Sequence, residues 1–315
     1  MIFVFALQLA LPLLLISWIA VYPPRSALAF WAQATATATA LLAIALTGLW
    51  LFPPWWALWV LVGLLILAIG VGWRRRYPFT SRLPSGWLAW VFMTVFVGLG
   101  GWGVYQSAVA LAGRTPQPGT VVELAFPLKN GTYLVVNGGS SLNVNAHLMT
   151  LNASVPRFHA YRGQSYGVDI VKLNGWGLRA SGLLPAEPSA YVIYSKPVYA
   201  PCTGQIIATQ DGLPDMKVPQ VDREHMTGNH VLLRCKSADV LLGHFKPGSL
   251  KVSLGNHVSV GQAIGAVGNT GNTGEPHLHI HAQQPGSVSE PLSGKPLPMR
   301  FEGRYLVRND RLAAP

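Results

Sequence analysis

The pattern of apolar and polar positions divides the chain into two textures. Across the first third, apolar residues run almost unbroken in four stretches: Ile2 to Tyr22, Ala27 to Leu51, Trp55 to Trp73 and Trp87 to Leu111. Each is near or above the roughly 20 residues that a helix needs to cross a bilayer core, so the pattern predicts four transmembrane α-helices within residues 1–112. Pro23-Pro24 and Pro53-Pro54 fall at the joins, where a helix must stop. Tryptophans gather at the ends (Trp50, Trp55, Trp56, Trp73, Trp87), as expected where one side of the ring is wet. The first stretch lacks a basic leader and a small-residue cleavage site, which favours a span over a signal peptide.

A Pro/Gly linker, GRTPQPGT at residues 113–120, ends this texture. Short alternating runs follow: Tyr133 to Val136, Val198 to Ala200, Gln205 to Ala208, His230 to Leu233, Val240 to Gly243, His257 to Val260, Ala263 to Val267 and His277 to His281. Gly, Pro and Asn separate them at short intervals, the pattern of an all-β barrel or sandwich. Residues 121–315 are enough for one core. The expectation is therefore four transmembrane helices followed by an all-β, antiparallel domain.

Charge orients the membrane part. Residues 1–112 contain no Asp or Glu and five basic residues, Arg25, Arg74, Arg75, Arg76 and Arg82. Four of them fill the loop between the third and fourth stretches, which places that loop in the cytoplasm. Counting outward, Arg25 also falls inside and both ends fall outside, so the C-terminal domain is expected to be extracytoplasmic. No charged residue sits mid-span to mark a transport path. Gly98, Gly100, Gly101, Gly103 and the Ala-Thr alternation of 34–40 fit close helix packing. All 12 acidic residues share the remainder with 18 basic ones, a mild excess that gives no reason to expect nucleic-acid binding. Cys202 and Cys235, the only cysteines, both border predicted strands in the extracytoplasmic part. A disulfide between them is the preferred reading, with two buried thiols as the alternative.

The candidate chemistry lies in HLHIH. A period of two puts His277, His279 and His281 on one face of a strand. Three imidazoles on one face need a metal, hydrogen bonds or water, and a catalytic zinc site wants three N/O ligands with an open position. His225, His230 and His257, at loops or strand starts, read as surface or hydrogen-bonded histidines. Asp211 and Asp215 in QDGLPD read as turn carboxylates, and the glycines of 255–274 as hairpin turns.

The segments VYAPCTGQIIA, LLGHFKPGS and LGNHVSVGQAIGAVGNTGNTGEPHLHIHAQ, with QSYGVDIV upstream, together resemble the lysostaphin-type (LytM) zinc metallopeptidases over about residues 160–285. The resemblance implies a β-barrel or sandwich of the duplicated-hybrid-motif type and a Zn2+ cofactor. It implies Asp169 and His279 as metal ligands. His244 and His277 become the two non-ligand histidines, one assisting deprotonation of the attacking water and the other stabilising the tetrahedral intermediate. Family substrates are peptidoglycan stem peptides or cross-bridges, cut beside small residues such as Gly or D-Ala. Joined to the four apolar stretches, which the resemblance does not cover, this gives the expectation of an endopeptidase anchored in a bacterial cytoplasmic membrane.

One position departs from the family pattern. Four residues before Asp169, where the family has its first His ligand, stands Ser165. His147, His159 and His281 are candidates to replace it. His147 is favoured, because LNVNAH followed by Gln164-x-Tyr166 resembles a subgroup of membrane-anchored relatives with N-x-H upstream and Q-x-Y before the Asp. The rival function is an inactive module of the same fold that binds peptidoglycan or regulates another hydrolase; Ser165 favours it, and the retention of Asp169, His244, His277 and His279 opposes it. V-x-V-G-Q-x-I-G also occurs in biotin- and lipoyl-carrier barrels, but those need a lysine at a hairpin tip where this chain has Asn269-Thr-Gly.

Overall fold

The computed structural model of the chain describes residues 6–286 and 292–315. The chain divides after Ala112 into two compact units.

In the first unit a π-helical turn, Ala6–Ala10, leads into α1 (Leu11–Val21), followed by α2 (Ala27–Thr47), α3 (Ala57–Arg76) and α4 (Trp87–Ala112). Ile2 to Phe5 of the first predicted stretch lie outside the described residues. Three helices, α2, α3 and α4, are long and apolar enough to cross a membrane, whereas the described part of the first, Ala6–Val21, is a shorter apolar helix. Ser26 caps α2, its hydroxyl accepting from the Ala29 amide at 3.3 Å. The Ala/Thr face of α2 packs on the glycines of α4. A Cβ added at Gly103 would sit 2.7 Å from the Thr39 carbonyl carbon, so backbone meets backbone there. The two arginine-bearing loops come to one end of the unit: Arg76 Nε donates to Pro23 O at 2.8 Å, Arg75 Nη1 to Ala20 O at 2.9 Å, and Ser26 bridges Ser81.

The second unit is mostly antiparallel β. Its strands are β1 (Val122–Leu124), β2 (Gly131–Asn137), β3 (Val168–Leu173), β4 (Pro197–Tyr199), β5 (Gly204–Gln210), β6 (His230–Arg234), β7 (Asp239–Gly243), β8 (His257–Val258), β9 (Ala263–Ala266), β10 (Leu278–Gln283), β11 (Pro296–Leu297), β12 (Met299–Phe301) and β13 (Arg311–Ala314). Among the described residues, nine form one sheet in the order β13-β2-β3-β10-β7-β6-β5-β8, with β11 on β10; β4 pairs β9, and β1 pairs β12 in parallel. Every alternating run overlaps one of these strands, although Ala200, Ser259, Val260, Val267 and His277 fall just beyond the strand ends. Absent from those runs are the short β1, β11, β12 and β13, and also β3, whose residues are buried on both faces and so show no alternation.

One face of the sheet, carrying Ile206, Val231, Leu233, Val240, Leu242, Leu278 and Ile280, faces the main core. The opposite face carries the histidines. Register sets them in rows: His279 pairs Asp169 on one side and Gly243 on the other, while His281 pairs Leu241, which pairs Leu232. Tyr161 and Leu292 pack over Leu232 and Leu241 on this second face. Cys202 and Cys235 form a disulfide with Cα atoms 6.0 Å apart.

Candidate metal centre

Three separate segments bring ligand-type atoms together. Strand β3 presents Asp169, β10 presents His279 from the register-paired position, and a 3₁₀ turn, Ala146–Leu151, presents His147. One atom from each lies within 4.8 Å of the other two. His147 Nε2 stands 2.9 Å from Asp169 Oδ2, and His279 Nδ1 stands 2.8 Å from Oδ1.

Local chemistry explains why His147 arrives there. Asn145 caps the turn, its Oδ1 accepting from the His147 amide at 3.1 Å. Its Nδ2 donates to Gly139 O and Gly167 O, tying the turn to the approach of β3. Gly167 leaves room for the rings: an added Cβ would lie 2.7 Å from His279 Cε1 and 3.3 Å from His147 Cδ2. Ser165 is buried and points elsewhere. Its hydroxyl donates to Arg162 O at 2.7 Å or shares a proton with Thr150 Oγ1 at 2.8 Å, and Thr150 in turn reaches His147 O at 2.7 Å. Ser165 therefore braces the turn that carries His147 and takes no place among the three convergent atoms.

Two further histidines face this group. His244 follows β7 in a left-handed conformation (φ 64°), which turns it out of the strand. Its ring centroid is 4.8 Å from that of His277 and 5.9 Å from that of His279. A carbonyl oxygen only accepts, so His244 Nδ1 carries a proton to Thr270 O at 2.7 Å. By the same reasoning His277 Nδ1 donates to Glu275 O at 2.9 Å, while its Nε2 lies 3.5 Å from Asp169 Oδ1. The GNTGNTGEPH loop is the frame behind both rings: buried Thr270 bonds Phe245 O, Asn269 Nδ2 donates to Met216 O, and Glu275 holds buried Arg179 at 2.8 Å.

Burial pushes His244 well below the ordinary imidazole range, and His277 and His279 push the same way. His279 and His281 are lowered for the same first reason. His277 moves in the opposite direction: burial opposes its charge, but the Asp169 carboxylate and the Glu275 carbonyl outweigh it. Burial would raise Asp169, yet His147 and His277 hold its carboxyl well below the usual range. An anionic carboxylate beside a neutral imidazole is the form in which these groups bind metals.

The remaining sequence candidates fall away from the centre. His159 is exposed, with Nε2 3.2 Å from Ala153 O. His281 lies behind His279, its Nδ1 2.9 Å from His279 Nε2. His225 pairs Asp222 at 2.7 Å, His230 bonds Gly228 O at 2.9 Å, and His257 is exposed. Asp211 and Asp215 accept backbone amides, of Gly212 and Asn269 respectively. Two supporting residues carried no sequence signal. Asn137 Nδ2 donates to Asp169 Oδ2 at 2.8 Å, and Arg308 Nη2 donates to Asn137 Oδ1 at 2.7 Å. Burial lowers the Arg308 guanidinium to about 10.

Residues 191–291 match peptidase family M23. The M23 segment holds His244, His277 and His279, while Asp169 and His147 lie upstream of it. Among solved structures, the chain is similar to the catalytic domain of the antimicrobial peptidase lysostaphin from Staphylococcus simulans, at 24% identity over 40% of this chain and 71% of that one, with a TM-score of 0.26. It is also similar to a zinc-containing peptidase from Vibrio cholerae (18% identity, 50% of this chain and 35% of that one, TM-score 0.29) and to Csd3 of Helicobacter pylori (16%, 62% and 36%, TM-score 0.30). The chain thus spans about a third of the length of the latter two. No curated protein sequence matches it significantly.

Proposed function

We propose that the chain is a membrane-anchored zinc endopeptidase that hydrolyses peptide bonds of peptidoglycan, with His147, Asp169 and His279 holding the metal. The observation that carries this reading is the approach of His147 Nε2 and His279 Nδ1 to opposite oxygens of one buried carboxylate. Two imidazoles and a carboxylate are a donor set of the kind catalytic zinc takes, and a third imidazole, His277, stands beside the carboxylate without joining the group. When bound there, zinc would polarise a peptide carbonyl and acidify a water molecule.

The chain's own residues divide the proton work. His244 is neutral and has Nδ1 committed to Thr270, which leaves Nε2 free to take a proton as general base. His277, favoured in its charged form by Asp169, presents an Nε2–H suited to a developing oxyanion. Small glycyl or D-alanyl residues at the cut are the substrate class of the resembled family, and the turns at Gly255, Gly261 and Gly271 carry no side chains of their own.

The anchor reading rests on three helices of spanning length, the shorter apolar Ala6–Val21 as a fourth span, and large apolar side chains exposed along α3 and α4 (Trp59, Ile66, Leu67, Val95, Val97). Arginine loops gathered at one end fit the cytoplasmic side. That puts the disulfide-bearing unit outside, where a disulfide persists.

The test is zinc content, by elemental analysis, of the purified full chain as wild type, His147→Ala and His279→Ala, followed by digestion of muropeptides. Near-stoichiometric zinc lost in both variants, with cleavage by the wild type alone, is the expected result. A folded wild type without zinc would instead favour a peptidoglycan-binding or regulatory module. The buried, committed hydroxyl of Ser165 is the observation behind that second reading, since the site then depends on His147 alone for its third ligand.

A further inference from the structure

Between the C-terminal end of α1, the first half of α2 and the start of α4 lies a cavity of about 310 Å³. It sits at the arginine-bearing end of the helical unit, with Arg25 among its lining residues. Its walls are aromatic and apolar, chiefly Trp18, Phe92, Met93 and Phe96. Gln33 also lines it, is 1% exposed, and has neither amide nitrogen nor amide oxygen paired among the described residues.

That unpaired amide stands out within its own unit. Gln8, the other buried glutamine, closes both ends on Leu49, at 3.1 Å and 2.8 Å. Thr37 and Ser107 return their hydroxyls to their own helices. In an apolar solvent an unpaired amide has no water to turn to, so a side chain of this kind on a cavity wall calls for a polar atom inside the cavity. Arg25 stands exposed at the rim of the cavity, and residues 1–112 hold no carboxylate to pair with it. Gln33 lies six residues into α2 from Ala27, about 9 Å of helix axis, Arg25 stands two residues before the helix starts, and the lean of helical side chains toward the N-terminus shortens the gap at the Gln33 end. An anionic head, a carbonyl a short way below it and an apolar tail match this sequence of walls.

We propose that the cavity binds one anionic phospholipid of the surrounding bilayer. Its phosphodiester lies against Arg25, an ester carbonyl accepts from Gln33 Nε2, and the upper acyl chain packs among Trp18, Phe92, Met93 and Phe96. The proposal rests on reading the helical unit as membrane-embedded and is independent of whether the β unit binds zinc.

The experiment is native mass spectrometry of the delipidated full chain in detergent, titrated with phosphatidylglycerol or phosphatidylcholine of identical acyl chains. Wild type is expected to retain one phosphatidylglycerol with about fivefold preference, the factor that one arginine supplies toward an anionic head. R25Q should bind both lipids equally, Q33L should weaken both, and M93W, which fills the cavity and touches no arginine, should retain neither. Equal retention of the two lipids by wild type overturns the proposal. So does wild-type retention by folded M93W or Q33L, which places the lipid elsewhere. Displacement of the lipid by inorganic phosphate alone makes this a free-anion site and overturns it too. A chain that will not stay helical and monodisperse in detergent refutes the membrane reading itself, an outcome distinct from loss of lipid selectivity.

Discussion

Replacing His281 separates a structural histidine from one that sets the metal centre. If His279 Nδ1 faces the metal, as its 2.8 Å approach to Asp169 indicates, its ring proton must reside on Nε2. That proton then points at His281 Nδ1, 2.9 Å away on the same strand face. His281 thus serves as the outer partner that fixes the tautomer and ring angle of His279. His281→Leu keeps an apolar side chain on a face otherwise lined by Leu241 and Leu232, but leaves a buried N–H without an acceptor. Loss of such outer partners weakens metal binding about 10- to 100-fold, or about 1.4–2.7 kcal/mol. An unsatisfied buried donor costs about 1–3 kcal/mol, which agrees. His281→Asn places its amide oxygen close to where Nδ1 stands and should recover most of the affinity. Competition for zinc between the full chain and a chromophoric chelator measures this directly, with thermal unfolding of the metal-free proteins as the control. Wild-type affinity in His281→Leu, or equal loss in Leu and Asn variants of matched stability, would refute the tautomer argument.

Three other outcomes follow from the geometry. Ser165→Ala should lower stability by about 1–3 kcal/mol through the hydroxyl bonds it removes, yet keep full zinc stoichiometry; elemental analysis showing zinc lost while the fold is retained would make Ser165 a ligand after all. Reducing the Cys202–Cys235 bond opens a loop with a sequence separation of 33 and should remove about 4 kcal/mol on the loop-entropy estimate, read as a fall in the melting temperature of the β unit under reductant. Metal-free protein should lose stability as pH falls below 6.5, because His230, His244, His279 and His281 all have folded pKa values below that ordinary value and the unfolded chain takes up their protons first. His277, raised, contributes stability that is full below 6.5 and fades above it, so it opposes the trend as one group against four. Denaturant titrations at pH 7.5 and 5.5 that gave equal midpoints would contradict this balance.

What the sequence made legible, and what it did not, follows from the range of each physical signal. Apolar run length and strand alternation are local, so the helices of the first unit and strands β5, β6, β7 and β10 could be read directly. HLHIH is also local, since a period of two needs only adjacent residues. Strand β3 shows no period because neighbours cover it on both faces, and it was legible only through the Asp169 motif. His147 was the least legible of the three convergent side chains. It rides a 3₁₀ turn 22 residues upstream of Asp169, and neither periodicity nor spacing sets it apart from His159, which ends up exposed.

What distinguishes the two histidines is their anchorage. Asn145 caps the His147 turn and ties it to Gly139 and Gly167, whereas the His159 ring, among the described residues, bonds Ala153 O of its own loop. Asn137 and Arg308 were invisible for a related reason. A residue that hydrogen-bonds a ligand can come from any strand that register brings alongside, and Arg308 approaches from a segment more than 130 residues beyond Asp169. Ser165 stands where the resembled family has a His, and its hydroxyl is spent on the neighbouring turn. The hydroxyl at 165 now braces, through Thr150, the turn whose imidazole stands beside the carboxylate. Ser165 and His147 sit on neighbouring turns joined through Thr150.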